Sequence, residues 1–255
     1  MTPSRVCLRT SRGGAAIERV SAPTLVLAIL LLGTTGCGAS LRAQPEDSSD
    51  YLRYVAFEAP GNEHVLLRWP ERKMPLKVYL PMPPDGLFDD SQAIFEAAKE
   101  GVLAWTDAAG PGLPAFELVA SAGKADFPIA WAASQPSYAI AHCFLNVVIL
   151  QRRFDVAQIV VTGRFRDGSL ADADLIRSVV THEVGHALGL GGHSPNPGDV
   201  MYGFADPTAE AQPADAAAPA GDPARRILTA RDRETLRLLY ARPIGARIAA
   251  PRRAY

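Results

Sequence analysis

One helical segment constrains the fold of this 255-residue chain more than any other feature. It begins at residues 172–174 and ends near Gly189, and apolar groups lie on nearly every side of it. These groups are Leu175, Ile176, Val179, Val180, Val184, Ala187 and Leu188. A helix that is apolar all round is buried in the middle of a protein. The same segment also carries His182, Glu183 and His186, so we expect a polar cluster at the centre of the fold.

The spacing of these polar residues indicates a metal site. Residues four apart lie on one face of a helix, so the imidazoles of His182 and His186 converge. Two imidazoles at about 2.0–2.1 Å from one ion are half of a tetrahedral zinc site. Glu183 lies one step further round, where its carboxylate can reach a water molecule on the ion. Zinc lowers the pKa of that water to about 7, and the carboxylate can accept its proton during attack on a carbonyl.

A third histidine makes coincidence a poor explanation. Three of the five histidines of the chain lie within twelve residues, because His193 follows the helix closely. A single histidine in an apolar helix is usually a core residue with satisfied hydrogen bonds. Unpaired buried carboxylates are rare, and a metal gives Glu183 a reason to lie in this helix.

The segment from His182 to His193, followed by Asp199-Val200-Met201-Tyr202, resembles the metzincin metallopeptidases and, within them, the matrixin-like branch. The resemblance implies one catalytic zinc ion, which His182, His186 and His193 would bind. It also implies that Glu183 is the general base and that Met201 forms the Met-turn beneath the metal. The implied function is that of a zinc-dependent endopeptidase with protein or peptide substrates.

The resemblance covers about residues 74–242 and implies an α/β fold with α+β-like character. This is a metzincin-like twisted mixed sheet with an antiparallel edge strand, a buried active-site helix, the Met-turn and a C-terminal helix. In this family the edge strand binds an extended peptide by strand addition. Alternating apolar residues predict strands at residues 74–82, 116–119, 127–131, 139–150 and 158–165. Helical spacing predicts one helix after Asp89-Asp90-Ser91 and a last helix after a capping box at Thr229–Asp232. Pro75 and Pro81 bracket the first strand, which favours a short or edge strand.

The chain departs from the family pattern at the third histidine. The usual spacing would place it at position 192, where this chain has Gly192. We expect His193 to bind zinc nevertheless, because the chain has left the helix after Gly189 and a loop absorbs one added residue easily. Leu190-Gly191-Gly192 contains two glycines that accept positive φ, which predicts a wider turn back to the metal.

Further departures and alternatives remain. No propeptide with a cysteine switch is recognisable, His64 and His142 are too few for a second, structural zinc, and Tyr202 is left out of the ligand set. One alternative is a non-catalytic zinc-binding lipoprotein; another is a HExxH peptidase with a different third ligand.

Oxygen ligands for Ca²⁺ could come from Asp85, Asp89 and Asp90, or from Asp167, Asp172 and Asp174, although we favour turn and N-cap roles for both sets.

Residues 1–36 are predicted to be a signal peptide. Arginines precede the eight apolar residues Leu25–Leu32, which are too few to cross a bilayer. Cys37 follows Thr34-Thr35-Gly36 and resembles the lipidated cysteine of bacterial lipoproteins, although that family prefers leucine at the place of Thr34. We therefore expect an exported protein that a lipid on Cys37 anchors to a bacterial, outer membrane. The alternative is ordinary cleavage, which would leave a periplasmic or secreted protein.

Beyond the signal peptide we predict a tether at 37–50, one peptidase domain at 51–245 and a C-terminal tail at 246–255. Residues 205–224 are rich in alanine and proline and predict a flexible loop within the domain.

Residues 1–36 contribute +3 to a net charge of −1, which leaves −4 for the rest and excludes nucleic acid as a partner. Cys143 remains without a disulfide partner and is expected in the core, and we expect a monomer.

Overall fold

The computed structural model describes residues 49–107, 114–133, 140–164, 168–203 and 226–250. Within these ranges the chain forms eight strands and three α-helices, joined in places by single turns of 3₁₀ helix. The strands are β1 (Phe57–Ala59), β2 (Glu63–Leu66), β3 (Leu76–Tyr79), β4 (Phe116–Leu118), β5 (Phe127–Trp131), β6 (Ala141–Val148), β7 (Arg153–Val161) and β8 (Ala246–Ile248). The helices are α1 (Ser91–Asp107), α2 (Ala173–Ala187) and α3 (Ala230–Ala241).

The main sheet has five strands in the order β4-β3-β5-β7-β6. The pairs β3–β4, β3–β5 and β5–β7 are parallel, whereas β6 at the edge pairs with β7 in the antiparallel direction. The predicted α/β fold, with a mostly parallel twisted sheet and one antiparallel edge strand, is therefore confirmed.

The first predicted strand is short, as expected, but it is not an edge strand. Strand β3 is hydrogen-bonded to β4 on one side and to β5 on the other. Pro75 precedes Leu76, and Pro81 follows Tyr79, so neither proline has to donate a hydrogen bond within the ladder. The two prolines limit the length of β3 and do not decide its position in the sheet.

Three short strands form a second, antiparallel sheet that the sequence analysis did not predict. Its order is β1-β2-β8, so it joins residues 57–66 to residues 246–248. Strand β8 lies in the segment that we expected to be a C-terminal tail. Strand β7 also begins five residues earlier than predicted, where it extends the hairpin with β6 past a bulge at Phe144/Leu145.

Helices α1 and α2 pack closely beside the sheet. A Cβ on Gly101 of α1 would lie 2.8 Å from the carbonyl oxygen of Arg177 in α2, so only glycine permits this approach. Trp105 is fully buried at the same interface and donates from Nε1 to the carbonyl oxygen of Thr181, at 2.8 Å. Asp90 and Asp172 cap the two helices by accepting backbone N–H hydrogen bonds of 2.9 and 2.8 Å. These contacts fix the position of α2 against α1 in the core.

Several predicted features lie outside the described residues: the signal peptide, Cys37, Asp167 and the Ala/Pro-rich loop at 205–224. None of the helices formed by the described residues is long and apolar enough to cross a membrane. Cys143 is buried in β6, which confirms the expected position in the core, and its thiol is free.

Candidate metal centre and active site

The three predicted histidine ligands come together at the C-terminal end of α2. His182 and His186 lie on one face of the helix with ring centroids 4.8 Å apart. The ring of His193 lies 5.2 Å from the first and 5.1 Å from the second. One ring nitrogen from each of the three residues lies within 4.8 Å of the others. Among the residues that the structure describes, this is the only group of three or more such side chains able to bind one metal ion.

Backbone carbonyls orient the two helix imidazoles. Nδ1 of His182 lies 2.8 Å from the carbonyl oxygen of Val200, and Nδ1 of His186 lies 2.5 Å from that of Leu190. A carbonyl oxygen only accepts hydrogen bonds, so each Nδ1 carries the proton and each Nε2 keeps its lone pair. Metal-binding histidines commonly have this second hydrogen bond, which fixes both the tautomer and the ring orientation.

Burial keeps these histidines in the neutral form that binds metals. It lowers the pKa of His182 well below its ordinary value and lowers the pKa of His186 to about 4. The pKa of His193 is lowered for the same reason, although its side chain is the most exposed of the three. The exposure of His193 shows that the cluster opens to solvent on that side.

Helix α2 ends at Ala187, and the chain turns away from the helix at Gly189, close to the end that the sequence analysis predicted. The N–H groups of Gly189 and Leu190 donate to the carbonyl oxygens of His186 and Gly185, at 3.0 and 3.1 Å. This pairing is a Schellman motif, and its glycine has φ +108°. A Cβ at Gly189 would also overlap the carbonyl oxygen of Leu67, so the turn requires glycine for two independent reasons.

The expected role of the next two glycines was wrong. Neither Gly191 nor Gly192 has a positive φ. They allow close packing instead: a Cβ on Gly191 would lie 2.7 Å from the ring of Phe57, and a Cβ on Gly192 would overlap the carbonyl oxygen of Tyr54. Beyond the turn at Gly189, the path to His193 is therefore set by contact with residues 54–57, and not by positive φ at Gly191 or Gly192.

Met201, the residue that the resemblance assigns to the Met-turn, is fully buried against α2. A Cβ on Gly185 would overlap its sulfur atom, so Met201 packs against the helix between the two histidines. The Met201 carbonyl oxygen accepts a 2.8 Å hydrogen bond from the N–H of Ser194, the residue after His193. The methionine turn thus supports both the helix and the third histidine.

Glu183 is buried on α2 beside the two histidines. Burial raises the pKa of its carboxyl to about 8, and a hydrogen bond from the backbone N–H of Cys143 partly offsets that effect. Because Cys143 belongs to β6, the glutamate is linked to the edge strand of the sheet. A cation bound nearby would favour the charged form of this carboxyl.

Two buried aspartates near the Met-turn were not predicted to support the site. Asp199 accepts hydrogen bonds from the hydroxyl groups of Ser194 and Thr229 and from Arg231. Asp232 completes the predicted capping box of α3 and also accepts from the Val200 N–H, at 3.1 Å. The sequence offered one indication of this role. Asp199, just before Met201, and Asp232, in the capping box, lie on either side of the predicted loop at 205–224.

The donor set fits zinc, because neutral imidazoles with fixed Nε2 lone pairs are typical zinc ligands. Together with the mixed sheet and the buried helix, this cluster defines a metallopeptidase of the metzincin class. The sequence profile of the matrixin family, a family of zinc-dependent endopeptidases, matches residues 90–217, which is half of the chain, and the chain belongs to this family. No curated protein matches the chain at a significant level.

Proposed function

We propose that the protein is a zinc-dependent endopeptidase in which His182, His186 and His193 bind the catalytic ion. The observation that carries this proposal is the convergence of three imidazoles whose ring nitrogens lie within 4.8 Å of one another. Carbonyl hydrogen bonds and burial prepare the two helix imidazoles for a metal before it binds. The membership of the matrixin family supports the same function.

The residues of the chain have distinct roles in this proposal. When bound, zinc supplies a Lewis acid that polarises the scissile carbonyl and lowers the pKa of water. Glu183 accepts the proton of the attacking water and then donates it to the leaving amine. Burial places this carboxyl in a dry environment that raises its pKa to about 8, so it holds a proton more firmly than it would in water.

Strand β6 is the proposed binding surface for the substrate backbone. It is the terminal strand of its sheet, so an extended peptide can pair with its outer edge. Its Cys143 N–H contacts Glu183, so the same strand leads directly to the proposed general base. A peptide bound there would lie beside the three imidazoles.

Two observations favour this function over the alternatives. A structural zinc site is closed by four protein ligands, whereas this cluster opens to solvent at His193. Among the described residues no carboxylate joins the three imidazoles, which argues against a peptidase whose third ligand is a glutamate. Both observations support an accessible site with three histidine ligands.

We further propose that the protein is exported and held at the surface of a bacterial, outer membrane by a lipid on Cys37. The support is the sequence: arginines, a short apolar run and a lipobox-like segment before the cysteine.

Binding of Ca²⁺ by the two aspartate groups named in the sequence analysis is a secondary proposal. Asp90 and Asp172, one from each group, already serve as helix caps.

Glu183→Ala tests the proposed mechanism. We expect this variant to keep one zinc ion per chain and to lose a factor of about 10²–10⁴ in the rate of casein cleavage. Glu234→Ala, which removes a partly exposed glutamate of α3 that pairs with Arg237, is the control and should retain wild-type turnover. Near wild-type turnover in Glu183→Ala would exclude the proposed general base.

A further inference from the structure

The N-terminal segment Tyr51–Phe57, here called the strap, lies directly against the loop that leads to His193. This loop is one residue longer than the usual metzincin spacing, and it contains Gly191 and Gly192. The strap precedes residue 90, so it lies outside the part of the chain that matches the matrixin family.

Three contacts join the strap to the loop. The Gly191 N–H donates a 2.7 Å hydrogen bond to the carbonyl oxygen of Val55. The Phe57 ring covers the Cα of Gly191, because a Cβ there would lie 2.7 Å from it. The Tyr54 carbonyl oxygen covers Gly192 in the same way. Both residues immediately before His193 are therefore held against the strap.

The strap is anchored independently of this loop. The Tyr51 side chain is buried, and its hydroxyl donates a hydrogen bond to Asp232. The backbone N–H of Tyr51 donates a second hydrogen bond, of 3.0 Å, to Thr235 Oγ1. Phe57 packs against Phe154 of the β6–β7 hairpin, with ring centroids 5.9 Å apart. Helix α3 and the hairpin thus fix the strap, and the strap can in turn fix the loop.

His193 depends on such support more than the other two histidines. Helix α2 positions His182 and His186, whereas His193 lies in a loop between two anchors. On its C-terminal side the Ser194 N–H donates to the Met201 carbonyl oxygen; on its N-terminal side the contacts are those with the strap. We infer that residues 51–57 position His193 for zinc and are thus part of the scaffold of the metal centre. This inference rests on the proposed zinc site.

Gly191→Ala tests the inference by placing a methyl group against the Phe57 ring. We expect zinc affinity, measured by competition with a chromophoric chelator, to fall by about 10–100-fold, the usual effect of changing a group that orients a ligand. Phe57→Ala in the same chain removes the ring and should restore most of this loss. Gly198→Ala, in the next loop between His193 and Met201, is the matched control, because a Cβ there has its nearest neighbour at 3.5 Å.

The His193→Ala background separates positioning from general instability. If the strap acts through His193, Gly191→Ala should not weaken zinc binding further once that imidazole is gone. An additional loss in this background, unchanged affinity in Gly191→Ala, or no recovery with Phe57→Ala would each overturn the inference. Unchanged affinity in His193→Ala alone would instead refute the proposed ligand set, so the two failures are distinguishable.

Discussion

Asp199 should be the main polar anchor of the loop between His193 and Met201, and replacing it tests this directly. Its carboxylate is 1% exposed and accepts hydrogen bonds from Ser194, Thr229 and Arg231. In Asp199→Ala the buried Ser194 hydroxyl loses a charged acceptor, which costs about 1.5–3 kcal/mol.

The other two partners lose less. The Thr229 hydroxyl keeps a 2.7 Å contact with Asp232. The Arg231 side chain is 22% exposed, so water replaces part of its ion pair, and the loss of that pair costs about 0.5–1 kcal/mol. The whole effect on the free energy of unfolding is then about 2–4 kcal/mol. At about 2–4 °C per kcal/mol for a domain of this size, Tm should fall by about 4–16 °C.

Thermal unfolding of the zinc-loaded protein, followed by circular dichroism, measures this change. Asp199→Asn keeps a carbonyl acceptor in the same place and should lose less than half as much as the alanine variant. Glu234→Ala, which breaks a partly exposed ion pair with Arg237, should lower Tm by no more than about 2 °C. If the alanine variant unfolds at the wild-type temperature, or the asparagine variant is equally damaged, the hydrogen bonds of Asp199 do not anchor the loop.

Three further outcomes are expected. Gly189→Ala should lower the stability of the metal-free protein by more than about 2 kcal/mol, because it forces a side chain into left-handed backbone and against the Leu67 carbonyl; an unchanged Tm would contradict this. Trp69→Phe should cost about 1–3 kcal/mol in urea unfolding, because the buried Ala187 carbonyl loses its 2.7 Å hydrogen bond, and a wild-type midpoint would show that the bond contributes nothing. Cys37→Ala should release the protein from the membrane fraction, and a processed variant that remains there would argue against lipidation.

Local patterns in the sequence were sufficient for the helices and for the helix part of the site. Apolar spacing and the Asp172 cap predicted α2, and the capping box at Thr229 predicted α3. The four-residue interval between His182 and His186 placed both rings on one face, because the period of a helix is set by its own hydrogen bonds. Such features depend on residues within one or two turns of each other, so the sequence alone determines them.

The tertiary structure decided what depends on distant partners. Strands β1, β2 and β8 have three or four residues each, too few for a clear alternation, and form because residues 57–66 meet residues 246–248. The interior position of β3 likewise depends on β4 and β5. The path of the chain to His193 follows from the packing of Gly191 and Gly192 on the strap, more than 130 residues earlier in the chain. A glycine permits either a left-handed turn or a close contact, and only the neighbour that packs against it determines which of the two it serves.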